Sequence, residues 1–289
     1  MPTADARPAP AGVLIRALVA EGAVRVLLVE AHRPAEEARR RHGLGPEAAE
    51  VTARTMVAAA LLSAYLKGEE QLTVQLQGSN PRLAVYVDQT ATGDIRARTT
   101  PPNIPVAAPL HGVLVAIKSV HDKELYRGHT EVKGTVEQAL AQHLGQSTQV
   151  DAILRVHARV DDDGQVVAAS GLLLERLPDE PGQPSITVEA FDESYGELRS
   201  ADPGALMTEM AFGRLQGEPL QILQTSPLTW QCRCSLERVR ATLRSLGDHE
   251  LQQMIDEDGG AEVTCHFCNE AYQLDVDDLS ALLTGPAAS

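Results

Sequence analysis

Residues 71–88, Gln71-Leu-Thr-Val-Gln-Leu-Gln-Gly-Ser-Asn-Pro-Arg-Leu-Ala-Val-Tyr-Val-Asp88, decide the fold class. Leu72, Val74 and Leu76 alternate with polar residues, and Leu83, Val85 and Val87 do so again beyond Gly78-Ser79-Asn80-Pro81. An apolar side chain at every second position gives a strand one buried face, and a Gly/Ser/Asn/Pro cluster between two such runs reads as a turn. The stretch is therefore two antiparallel strands. Working outward, Val113 to Lys118, Gly128 to Val132, Ala152 to Val160 and Val166 to Leu174 repeat strand character. The last two flank Asp161-Asp162-Asp163-Gly164, a hairpin signal. Pro46 opens a helical run that reaches Leu66, with Val51, Thr55, Ala58, Leu62 and Leu66 on one stripe and Gly68 behind it. A second helical run covers Gly134 to Leu144. The expected class is α+β, with helices on a mostly antiparallel sheet.

Composition narrows the function. The 289 residues are enough for about two domains. Aromatics make up only 3%, so Val, Leu, Ile and Ala must build the cores. A formal charge of -15 argues against general phosphate attraction, hence against nucleic acid as a partner, and it repels anionic membranes. No apolar run approaches the roughly 20 residues that span a bilayer. Residues 1–12, Pro/Ala-rich and without the layout of a secretory signal, read as a disordered tail on a cytoplasmic protein.

The N-terminal core domain is expected over 13–178. Leu177-Pro-Asp-Glu-Pro-Gly-Gln-Pro184 marks a boundary, and 179–228 reads as a partly helical linker. It carries short amphipathic pieces such as Ala205 to Phe212, with Leu206, Met207 and Met210. This stretch is too apolar to float free and too broken to form its own core, so it should rest on a neighbouring domain. Residues 229–289 form a compact C-terminal unit. Ser235 is a candidate N-cap for a helix with Leu236, Val239, Leu243 and Leu246 on one stripe, and Leu251, Met254 and Ile255 mark a second helix closed by Gly259-Gly260. Leu279, Leu282 and Leu283 mark a last helical turn. A unit this small needs a staple.

The staple is the cysteine set. All four cysteines of the chain lie here, as Cys232-Arg-Cys234 and Cys265-His-Phe-Cys268. In a reducing compartment such a set points to metal rather than constitutive disulfides. Two tight turns supplying two thiolates each can complete a tetrahedron around one Zn²⁺, making 229–289 a zinc-binding domain. Four protein ligands leave no position for substrate, so zinc hydrolase chemistry is not expected, and no catalytic constellation stands out elsewhere. The chain is not expected to be an enzyme. Spacing alone leaves two roles open: a zinc that only holds the fold, or thiolates that act as a redox switch. The small ring that a Cys232–Cys234 disulfide would close, and the electron-rich four-thiolate cluster, favour the switch. His266 is a weaker ligand candidate, since four thiolates already satisfy zinc. Arg39-Arg40-Arg41-His42 reads as a solvated helix face.

With these residues in view, the chain resembles the redox-regulated chaperone family heat-shock protein 33. The resemblance rests on Cys232-Arg-Cys-Ser-Leu-Glu-Arg-Val239, Ser245-Leu-Gly247, Gly259-Gly260 and Val263-Thr-Cys-His-Phe-Cys-Asn269. In the core it rests on Arg41-His-Gly-Leu44, Leu66-Lys-Gly-Glu-Glu70 and Leu72-Thr-Val-Gln-Leu-Gln-Gly78. The chain departs from the family pattern at Ser147-Thr148-Gln149, at Leu236 and at His111-Gly112. The resemblance implies a reduced, zinc-bound monomer that is inactive. It further implies that oxidants form Cys232–Cys234 and Cys265–Cys268 disulfides, expel zinc, and unfold the linker and the zinc domain. The oxidised protein would then dimerise and hold unfolding client proteins without ATP. A constitutive zinc module for partner binding and a thiol–disulfide oxidoreductase using Cys265 and Cys268 are the alternatives.

Overall fold

In the computed structural model, residues 11–104, 109–121, 123–148, 151–199 and 213–284 are described. The expected piece Ala205 to Phe212, with Met207 and Met210, lies outside them. The chain divides into two compact units, residues 1–231 and 232–289.

The first unit opens with β1 (Ala11–Val19) and β2 (Val24–Glu30), then α1 (His32–His42) and α2 (Pro46–Ser63). The deciding stretch forms β3 (Gln71–Asn80) and β4 (Arg82–Thr90), paired antiparallel so that Val74 faces Val87 and Leu76 faces Val85. Next come β5 (Asp94–Thr100), β6 (Leu110–Val120), β7 (Lys123–Gly134), α3 (Val136–Thr148), β8 (Ala152–Val160) and β9 (Val166–Arg176). The hairpin between β8 and β9 closes as the acidic turn foretells. The Asp161 carboxylate accepts from the amides of Asp163 (3.1 Å) and Gln165 (2.8 Å), and Gly164 takes the left-handed conformation at φ 78°.

The described residues of 179–228, together with Thr229 and Trp230, belong to this unit. They supply α4 (Val188–Tyr195), the short pair β10 (Arg214–Leu215) and β11 (Glu218–Pro219), and β12 (Gln221–Trp230). The ten-stranded sheet runs β7-β6-β3-β4-β5-β12-β1-β2-β9-β8, with β12 inside it. Composition could not place β12 there, because its partners β1 and β5 lie far away in the chain. The stretches read as strands supply β3, β4, β6, β7, β8 and β9 of the first unit, and β1, β2, β5 and β12 join them.

The sheet curls around α2, which packs on β2, β3, β4, β5, β8 and β9. Helix α3 touches both terminal strands, β7 and β8. Burial explains the curl. Fourteen of the eighteen α2 residues are buried, well beyond the single expected stripe, and many are Ala, which lets strands approach on several sides. Its polar residues are satisfied internally, Thr52 by Thr99 (2.6 Å) and Ser63 by Gln89 (2.7 Å). Gly171 of β9 marks a close approach, since a Cβ there would fall on Val57 of α2. On the opposite side, Phe191 and Tyr195 of α4 join Leu198 and Leu215 over Val24, Val26, Leu28, Leu172 and Leu174. This gives β2 a near-continuous buried run in place of alternation.

The second unit contains α5 (Leu236–Arg244), α6 (Asp248–Gln253) with a wider turn at Met254–Asp258, β13 (Gly260–Thr264), β14 (Ala271–Asp275) and α7 (Val276–Thr284). Ser235 caps α5 by accepting from the Arg238 amide at 3.2 Å. Val239, Leu243, Leu251, Leu274 and Leu279 form its core. Leu236 and Leu246, expected on the same stripe, are 37% and 49% exposed, so the apolar face of α5 is narrower than its sequence. Among the described residues, no helix is long and apolar enough to cross a membrane.

Candidate metal centre

Two backbone features present the cysteines. Cys232 and Cys234 lie on the irregular stretch that runs into α5, and Cys265 and Cys268 on the turn joining β13 to β14. That turn is tied by the Asn269 amide to the Cys265 carbonyl (2.8 Å) and the Cys265 amide to the Glu270 carbonyl (2.9 Å), with Asn269 left-handed at φ 55°. Asn tolerates this conformation better than most residues.

The four sulfurs lie within 4.8 Å of one another, so they could hold a metal ion. Cys232 Sγ is 3.7 Å from Cys265 Sγ, and Cys234 Sγ is 3.3 Å from Cys268 Sγ. None of the four is in a disulfide. For Zn–S bonds of about 2.3 Å, the edge of a sulfur tetrahedron is roughly 3.8 Å, so the spacing and the soft donor set suit zinc. These two contacts run between the two motifs, as expected for one shared centre.

The surroundings are mixed. Cys268 is buried, and burial pushes its thiol and that of Cys234 up. The Tyr272 hydroxyl donates to Cys234 Sγ at 3.1 Å, which opposes the rise at Cys234 and raises the phenol of Tyr272 itself. Nothing in the sequence spacing of Tyr272 marks it as a sulfur partner. His266 is exposed and stands outside the group of four sulfurs. Arg39 pairs with Glu36, and Arg40 and Arg41 with Glu37, so this basic run is an ion-paired helix face.

A family model described as Hsp33 protein matches residues 12–275. The chain belongs to the Hsp33 family. Among curated Hsp33 relatives, the 33 kDa chaperonin of Bacillus licheniformis is 33% identical, the match covering 93% of this chain and 98% of that protein. The 33 kDa chaperonin of Bacillus subtilis is 31% identical, with 93% and 97% covered. The crystal structure of the 33 kDa chaperonin from Thermotoga maritima superposes with a TM-score of 0.80 over 94% of this chain and 97% of that one. At 23% identity that likeness is one of fold.

Proposed function

We propose that this protein is a redox-regulated, ATP-independent holdase chaperone of the cytoplasm, with Cys232, Cys234, Cys265 and Cys268 as ligands of one Zn²⁺ per chain. The observation that carries this reading is four cysteine sulfurs, none of them in a disulfide, within 4.8 Å of one another, in a chain whose relatives are named chaperonins. Bound zinc supplies cross-linking of the two motifs and keeps the sulfurs as thiolates. It fits a unit whose own apolar core is small.

The residues themselves do the switching. Each cysteine pair loses two electrons to one peroxide, which takes up two protons and leaves as two waters, and a disulfide forms. We assign the pairs as Cys232–Cys234 and Cys265–Cys268. Disulfide sulfurs are no longer thiolate donors, so the second unit loses its cross-link. The apolar residues of 179–228, among them Phe191, Tyr195 and Leu198, then become available to unfolding client proteins, and the oxidised chain dimerises.

The test is a peroxide titration at mild heat, following zinc with a chelating dye and client aggregation by light scattering on one sample. One zinc per chain should be released as holdase activity appears. Loss of zinc without that activity sinks the proposal. Catalytic turnover in an insulin-reduction assay would favour an oxidoreductase instead.

A further inference from the structure

Strand β12 is held unevenly in the sheet. On one side β1 pairs with it from Ala11↔Thr229 to Leu18↔Gln221, with a register shift at Arg16/Ala17. On the other, β5 pairs only with Thr229 and Trp230, and in parallel. Side-chain anchoring is uneven too. Residues 221–225 are all exposed, Ile222 at 50% and Leu223 at 55%, whereas Ser226, Leu228 and Trp230 are buried. The first half of the strand is therefore held by backbone hydrogen bonds and little apolar burial. Pro227, opposite Val13, has no amide to donate to a ladder. The anchors sit at the very end, and Trp230 precedes Cys232 by two residues. β12 is thus an interior strand whose buried side chains all lie at one end, the end next in sequence to the cysteine motif.

Its departure would leave a defined slot. The edge of β1 would offer alternate amides and carbonyls. The places of Leu228 and Trp230, the latter facing Ile95 across the ladder, would accept apolar side chains two residues apart. Leu14, buried opposite Ser226, would form part of the floor. We propose that in the oxidised protein this slot takes one extended segment of an unfolding client, added to β1 in place of β12. This inference rests on the holdase reading and names the surface on which it acts. The main-chain ladder gives affinity for almost any extended sequence, and two apolar positions at strand spacing give selectivity for segments that a native client keeps buried.

The test uses the full chain with Ile15→Cys and Thr225→Cys together, at facing positions of β1 and β12. Antiparallel Cα separations of about 4.5–5.5 Å fall in the range a disulfide bridges. Peroxide closes this lock while it oxidises the native cysteines, and mass mapping verifies each bond. Against either single variant, the doubly substituted chain should release the same zinc yet lose at least tenfold in suppression of client aggregation. Equal suppression by the locked chain overturns the strand slot and leaves the holdase reading standing. No suppression by the wild type or either single variant overturns both.

A second arm separates strand addition from plain apolar contact. A synthetic peptide with the sequence of residues 221–230 should block client capture by the oxidised wild type, and the same peptide N-methylated at alternate amides should not. Equal blocking by both, or by neither, overturns the proposal. So does a lock that abolishes dimerisation while the monomer still holds client, since the slot would then belong to β12 of a second copy.

Discussion

The Tyr272 hydroxyl donates a hydrogen bond to Cys234 Sγ at 3.1 Å, across the 38 residues that separate them. It ties the first cysteine motif to β14, beside the second motif. An O–H donor draws electron density from a thiolate sulfur and makes it a weaker nucleophile.

Tyr272→Phe should therefore quicken oxidation while keeping the ring in the core. A hydrogen bond of about 1 kcal/mol corresponds to a rate change of roughly fivefold. The measurement is zinc release at a fixed peroxide dose. A rate equal to or slower than wild type would show that the hydroxyl does not restrain Cys234.

Cys268→Ser should abolish stoichiometric zinc binding and unfold 232–289, because it removes the buried member of the four-sulfur group proposed to hold zinc. His266→Ala should leave one zinc per chain, since that imidazole is exposed. Metal analysis and far-UV circular dichroism distinguish the two variants. Zinc loss from His266→Ala would place the histidine in the ligand set.

Burial holds the Cys268 and Cys234 thiols up in the metal-free protein, so binding must expel protons. Zinc affinity should rise steeply between pH 6.5 and 7.5, by as much as ~10⁴ if four protons leave. Competition with a chelating dye measures the slope. A flat profile would contradict thiolate ligation.

His143 on α3 is buried with Thr130 Oγ1 at 3.2 Å and the Tyr126 ring edge-on, and Lys118 lines the same cavity of about 420 Å³. Burial lowers its pKa, so the folded state prefers the neutral ring and the unfolded chain binds the extra proton. Its stabilising contribution is full above the ordinary histidine pKa of about 6.5 and falls as the solution is acidified through the folded value. Urea midpoints of the first unit should drop on acidification, less so in His143→Gln. Identical slopes for the two proteins would remove His143 as the cause.

Gly171→Ala places a methyl group against Val57 and Leu61 of α2. Overpacking of this kind should destabilise the first unit by about 1–3 kcal/mol while leaving zinc content unchanged. An unaltered urea midpoint would show that the helix yields without strain.

Local pattern reached a good part of the fold. Ala152 to Val160 is β8 residue for residue, and Val166 to Leu174 lies within β9, because alternation and the Asp-Gly turn act over a few residues. The β1–β2 pair escaped individual assignment, and β2 is covered by α2 on one face and by the α4 cluster on the other, which removes alternation as a signal. The long buried helix showed only one of its faces, since Ala carries little periodic contrast. Trp230, adjacent in sequence to the cysteine motif, is buried in the sheet of the first unit. Its fluorescence should therefore report the leaving of β12 and stay silent to changes confined to 232–289.

By itself, the sequence determined the α+β class, the β3–β4 and β8–β9 hairpins, the family and a set of four soft sulfur donors that could hold a metal. These depend on residue type and short spacing. Only the tertiary structure decided that 221–230 is an interior strand, that α2 is enclosed by the curling sheet, and that Tyr272 reaches Cys234. Each joins residues far apart in the chain. Such pairings arise from closing the sheet and packing the core, and no local periodicity records which distant partner a strand or a hydroxyl will meet.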